Sequence, residues 1–133
     1  MPLKSFTMGK RQSLHLAGLA PHKNPIPHCV KIGGMLFSGA IVGNTITGEL
    51  PESLDEQVNN TFSNLKTLLE GAGTSSDDVA KMTVFLAAAQ ERGALNREWL
   101  AMFPDEHDRP VRHVISAALQ GKTLIQIEVV AIL

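Results

Sequence analysis

The sequence has a single cysteine, no tyrosine, one tryptophan and no surplus of either charge. Cys29 alone cannot close an internal disulfide, and without a second thiol a cysteine-based zinc site is excluded as well, so a reducing compartment is the simplest reading. Twelve Lys and Arg against thirteen Asp and Glu leave a formal charge of −1, which gives no basic stripe for nucleic acid and no attraction to an anionic membrane. No run approaches the roughly 18 apolar residues of a membrane helix. Lys4, Lys10 and Arg11 precede a short apolar stretch, Leu14 to Ala20, in the superficial manner of a leader. That stretch contains His15 and runs into Pro21, so an edge strand and a cytoplasmic protein are expected. With 133 residues, 44% of them apolar, the chain fits one domain, residues 1–133, with a real core and no room for a separate cofactor domain.

Periodicity and turn chemistry order the elements. A first strand is expected at residues 13–17, followed by an irregular loop from Pro21 to Pro27 that holds three prolines. Gly33-Gly34 between Cys29–Ile32 and Met35–Phe37 marks a two-residue hairpin. A strand through Ile41-Val42 turns at Gly43-Asn44, and Thr45–Thr47 reads as a short strand or loop. Ser53 with Glu56 three residues on forms a capping box. Val58, Phe62, Leu65 and Leu69 then make one apolar helical stripe, ended by Gly71 and Gly73. A buried strand is expected at Val79–Ala88 after a turn at Ser75–Asp78, then a helix with Leu95, Trp99, Met102 and Phe103 inward, ending before Pro104. Strands at Val111–Leu119 and Leu124–Leu133 close the chain around Gln120-Gly121-Lys122. This order predicts an α+β domain, one sheet with two helices on one face. The last strand puts Ile125, Ile127 and Val129 on one side and Leu124, Gln126 and Glu128 on the other, a mixed face suited to contact with other subunits.

Chemistry points first to Arg112 in Pro110-Val111-Arg112-His113. A guanidinium held there can grip a carboxylate through two parallel charge-assisted hydrogen bonds, which lysine cannot do in the same geometry. A solvated surface arginine is the bland alternative. The five histidines, His15, His22, His28, His107 and His113, show no ligand spacing, so no metal is expected. His113 alternates with Arg112 along a strand and should face the other way. Trp99 reads as a core anchor on its helical stripe, and Cys29 as an inert small hydrophobe.

Taken together, Leu36-Phe37-Ser38-Gly39, Gln57 and Leu65, Lys81-Met82-Thr83-Val84-Phe85, Asn96 with Trp99 and Phe103, Pro110-x-Arg112 and Ile127-Glu128-Val129-Val130-Ala131 resemble the RidA family, also called YjgF or L-PSP. The landmarks run in order over about residues 28–132. The resemblance implies a chorismate-mutase-like fold, a homotrimer with clefts between subunits, and hydrolysis of enamines and imines such as 2-aminoacrylate to 2-oxo acids and ammonia, with no metal or organic cofactor. It implies that Arg112 binds the substrate carboxylate, that backbone at Gly39 lines the cleft and that Asn96 lies near it.

Four departures mark a divergent member. Where deaminating members have Gly-Pro-Tyr-Ser-Gln, this chain has Asn24-Pro25-Ile26-Pro27-His28, so the site tyrosine becomes Ile26. His113-Val114 replaces Ser-Cys after the arginine, which brings Val114 to the site, and Ala40 replaces Gln after Gly39. The family's Glu-Ile-Glu reads Gln126-Ile127-Glu128, and its first glutamate is the one associated with the hydrolytic water. A primary amide orients water but has no basic site near neutral pH. Glu128 shares the face but lies about 6–7 Å along the strand, and His28 and His113 are further candidate bases by position. The leading expectation is a cofactor-independent deaminase of a small enamine or imine carboxylate, of the aminomuconate type or a related one. The alternative is a non-catalytic trimer that binds a small carboxylate or a partner protein.

Overall fold

The computed structural model describes residues 10–87 and 90–133. Lys4 of the basic stretch and Ala88, the expected end of the middle strand, lie outside the described residues. Seven strands form one sheet: β1 (Gln12–Leu14), β2 (Cys29–Ile32), β3 (Met35–Ser38), β4 (Ile41–Val42), β5 (Val79–Leu86), β6 (Val111–Ser116) and β7 (Ile125–Ile132). Their order is β1-β2-β3-β7-β5-β6, with β4 also on β7. Among the described residues only β5 and β6 pair in parallel, and α2 lies in the connection that such a pair needs. Helices α1 (Leu54–Gly71) and α2 (Gly93–Met102) complete the α+β architecture.

Each local signal has a visible consequence. Gly33 and Gly34 both have positive φ, 57° and 76°, the two-residue turn whose twist matches its flanking strands. At the start of α1 the Ser53 hydroxyl accepts from the Glu56 N–H and donates to the Glu56 carboxylate. Val58, Phe62, Leu65 and Leu69 are buried as the stripe requires, and they meet Ile125, Ile127, Val129 and Ala131 of β7 and Met82, Val84 and Leu86 of β5 in one core. Helix termination is left-handed at Gly73 alone, whose N–H donates to Glu70. Gly71 stays helical, packed under Leu16.

Several boundaries are shorter than the hydrophobic pattern suggests, because side chains and turns take backbone groups that a ladder would use. Strand β1 stops at Leu14 since the Leu16 N–H donates to His28 Nδ1 instead. Residues 45–47 form a turn, with the Thr45 hydroxyl accepting from the Glu49 N–H. Strand β6 ends at Ser116, where the Ala117 N–H turns to the Leu86 carbonyl. Strand β7 begins one residue late because the Leu124 N–H goes to Gln57 Oε1.

Both helices cover one face of the sheet. The register of the strands gives the other face Val30, Met35, Phe37, Val130, Ile132, Thr83, Phe85, Val111 and Ile115, interrupted by Lys81, Glu128 and His113. Three apolar side chains there are well exposed in the single chain: Phe37 at 38%, Ile132 at 49% and Val111 at 67%.

Candidate functional site

Arg112 is the second residue of β6 and pairs with Met82 in parallel register. It therefore shares the helix-covered face with Met82 and Val84, and Val114, two residues on, lies on the same face. Its guanidinium carbon stands 4.9 Å from the centroid of the Trp99 ring, a distance at which the cation is attracted to the aromatic face. Trp99 is fixed in turn by Phe103, ring centroids 4.7 Å apart. Nη1 of Arg112 is buried without a hydrogen-bond partner, the sole buried side-chain nitrogen or oxygen in that condition among the described residues. No carboxylate lies within ion-pair distance of Arg112 among those residues. Burial, and then the nearby charge of Arg92, lowers its pKa from the usual arginine value, though a guanidinium stays charged at any physiological pH.

Asn96 is exposed on α2, its N–H bonded to the Arg92 carbonyl. Arg92, Asn96 and Trp99 are spaced by four and three residues, one face of a helix. Arg92 is a residue that sequence reasoning passed over. Its signal was only its place at the N-cap of α2, and nothing local ties that position to β6.

A second group assembles elsewhere. Gly39 occupies the break between β3 and β4, where the Ser38 hydroxyl accepts from the Val129 N–H and donates to the Gly39 carbonyl. The Gly39 N–H reaches the His28 carbonyl, so the loop carrying Ile26 lies against this break, with Ile26 47% exposed. His28 is buried, and both ring nitrogens are taken: Nδ1 accepts from the Leu16 N–H and Nε2 donates to the Ala20 carbonyl. That arrangement leaves it no free nitrogen with which to receive a proton from water, the role expected of it as a general base. Cys29 is buried beside it, and burial pushes its thiol pKa up.

Gln126 falls on the helix-free face of β7, between Val42 of β4 and Phe85 of β5. Glu128 shares that face beside Thr83 and is exposed. The expected site residues thus divide into three groups: Arg112, Val114 and Asn96; Gly39, Ile26 and His28; and Gln126 with Glu128. Arg112 and Gln126 lie on opposite faces of the sheet, and β5 and β7 separate β6 from the strands that flank Gly39. One chain does not bring them together. A cleft of about 580 Å³ between α1 and α2 is lined by residues that include Phe62, Lys66, Glu70, Glu98 and Met102 and contains none of them.

The chain and its fold match known proteins. The family model described as Endoribonuclease L-PSP matches residues 19–133. The chain belongs to the RidA/YjgF, or L-PSP, family. A RutC family protein of Aquifex aeolicus is 32% identical over 110 residues, 81% of this chain and 88% of the relative. A 2-iminobutanoate/2-iminopropanoate deaminase of Escherichia coli is 31% identical over 111 residues, 81% of this chain and 87% of that protein. Among solved structures, RidA from an Antarctic Psychrobacter superposes with a TM-score of 0.83 at 25% identity, covering 92% of this chain and 99% of that one. In this chain Arg112 and the amide Gln126 lie on opposite sides of the sheet.

Proposed function

We propose that the protein hydrolyses a small enamine or imine carboxylate, with Arg112 as the carboxylate anchor. The observation that carries this reading is the buried, unpartnered Nη1 of Arg112 above Trp99. A buried donor without an acceptor costs about 1–3 kcal/mol, and a bound carboxylate supplies two acceptors in the geometry of the guanidinium fork. The relative named for deamination of 2-iminobutanoate and 2-iminopropanoate supports the reaction class. An enamine first tautomerises to its imine by moving a proton from nitrogen to carbon; water then adds to the carbon of the C=N bond, the carbinolamine loses ammonia, and a 2-oxo acid remains. In this chain the amide oxygen of Gln126 orients the water, and the proton leaves to solvent or to the departing nitrogen. His28 stays outside the chemistry, since its ring is committed to two backbone groups.

The site is completed between copies of the chain, because Arg112 and Gln126 occupy opposite faces of one sheet, and the apolar helix-free face supports a homotrimer. No metal or organic cofactor enters this scheme. The test is ammonia release from freshly generated 2-aminoacrylate. A slow wild-type reaction accelerated about 10²–10⁴-fold by Gln126→Glu, the usual worth of general-base assistance, fits the role given to position 126. A non-catalytic carboxylate-binding oligomer is the second reading, favoured by the amide at that position. Carboxylate binding without turnover in either form, or with any enamine acid, decides for it.

A further inference from the structure

Arg112 is not the sole cation at this end of the sheet. Arg92 stands at the N-cap of α2, one turn before Asn96 and two before Trp99, and Trp99 is the ring on which the Arg112 guanidinium rests. Among the described residues neither arginine forms an ion pair. Burial first, and then the charge of Arg92, lowers the Arg112 pKa, so the two guanidinium groups repel one another at this end of β6. A single carboxylate in the Arg112 fork gives Nη1 its missing acceptor but leaves Arg92 without an ion-pair partner among the described residues.

We propose that the substrate is a dicarboxylate: one carboxylate is held by Arg112 next to the reacting carbon, and the second, distal acidic group is held by Arg92. The proposal rests on Arg112 being the carboxylate anchor and adds the identity of the other end of the molecule. Arg92 is exposed while Nη1 of Arg112 is buried, so the two positions differ in kind. The inner fork selects for a carboxylate of fixed orientation, and the outer arginine, on a flexible stem, selects for charge at a distance. Asn96, between Arg92 and Trp99 on the same helix face, offers an amide to the polar middle of such a molecule. Imines and enamines of dicarboxylic amino acids belong to this class, and their hydrolysis yields a 2-oxo diacid and ammonia.

The experiment measures binding of 2-oxobutanoate, 2-oxoglutarate and 2-oxoadipate to the intact oligomer by calorimetry, in wild type, Arg92→Gln, Arg92→Lys and Arg112→Gln. A charge-assisted contact to the distal group should favour one diacid over 2-oxobutanoate by about tenfold or more. That ratio should fall to about one in Arg92→Gln and recover largely in Arg92→Lys, since a point charge suffices there. Higher salt should shrink the ratio in wild type. Equal affinity for mono- and dicarboxylates in wild type, or an unchanged ratio in folded Arg92→Gln, overturns the proposal and leaves Arg112 as anchor untouched. Equal weakening of all three probes by Arg92→Gln also overturns it, because both arginines would then share one carboxylate. Unchanged binding in Arg112→Gln overturns the anchor itself and with it the reading on which the proposal rests.

Discussion

Arg112 combines three features that a surface arginine lacks: a ring beneath it, a buried nitrogen without a partner, and no acid within reach among the described residues. Lysine would keep the charge and lose the fork, so Arg112→Lys should weaken carboxylate binding nearly as much as Arg112→Ala. Calorimetry with 2-oxobutanoate checks this, and near-wild-type affinity in Arg112→Lys would reduce the site to a simple point charge. A different residue-scale effect arises at the N-terminal edge, where the His22 and His28 rings lie 4.8 Å apart. Burial first, then the charges of His28 and His15, lowers the pKa of His22 from the ordinary histidine value. The folded chain therefore binds this proton less readily than the unfolded chain. His22 costs no stability well above the ordinary histidine pKa of about 6.5, and stability is lost as the pH falls through that value toward the lower folded one. Melting temperatures between about pH 7.5 and 5.5 should fall with acid, and His22→Gln should flatten that slope; an identical slope in the variant would show that the cluster does not couple to folding.

Helix α1 is more than an apolar lid. Gln57 is fully buried, donates to the Pro51 and Lys122 carbonyls and accepts from the Leu124 N–H, which ties the entry of α1 to the entry of β7. Asn60 and Asn64, three and seven residues on, donate to the carbonyls of Gly43, Val42 and Asn44. The strand that carries Gln126 is thus held from α1 at its start and through β4 along its side. Gln57→Leu should cost about 2–4 kcal/mol, because a near-isosteric apolar side chain leaves buried backbone groups without partners. Faster hydrogen exchange around Leu124 should accompany the loss, and global destabilisation without that local change would contradict the role. Gly43 sits so close to α1 that a Cβ would lie 2.2 Å from the Gln57 carbonyl oxygen. Since backbone cannot yield as a side-chain tip can, Gly43→Ala should destabilise by about 3 kcal/mol or more, read as a lowered urea midpoint. A midpoint within error of wild type would mean that α1 rides further from β4 in solution.

At the scale of the whole molecule, a sheet with helices on one face leaves the other uncovered, and here that face presents Phe37, Val111 and Ile132 to solvent in the single chain. A cyclic trimer closed through it should sediment at about three times the 14.3 kDa chain mass. Phe37→Asp should shift the protein toward monomer, and an unshifted oligomer would place the interface elsewhere. Because Arg112 and Gln126 face opposite ways, a site that uses both takes them from different chains. Mixing refolded Arg112→Ala and Gln126→Leu chains should then restore activity at roughly a quarter of the sites by random assortment in a closed ring. Mixtures as inactive as their parents would return both residues to one subunit.

How much of this was legible in the sequence depended on the range of the interaction. The Gly33-Gly34 turn, the Ser53 cap and the apolar stripe from Val58 to Leu69 are local, set by dihedral preference and helical spacing, and each stands where its pattern pointed. The alternation along Ile125 to Ala131 likewise assigned the buried side of β7. The bounds of β2 and β4 were legible, but the end of β1 and the start of β7 were not, because the Leu16 and Leu124 N–H groups donate to His28 and Gln57, partners 12 and 67 residues away. Arg112, Gly39 and Gln126 could be picked out as landmarks, but the pairing of Arg112 with Trp99, the nearness of Arg92 and the commitment of His28 to backbone follow only from chain crossings. By itself the sequence determined the elements and the chemistry of the side chains they carry. Tertiary structure alone decided which strands lie side by side and which residues they pair, since register is set by long-range pairing, and that decision places Arg112 and Gln126 on opposite sides of one sheet.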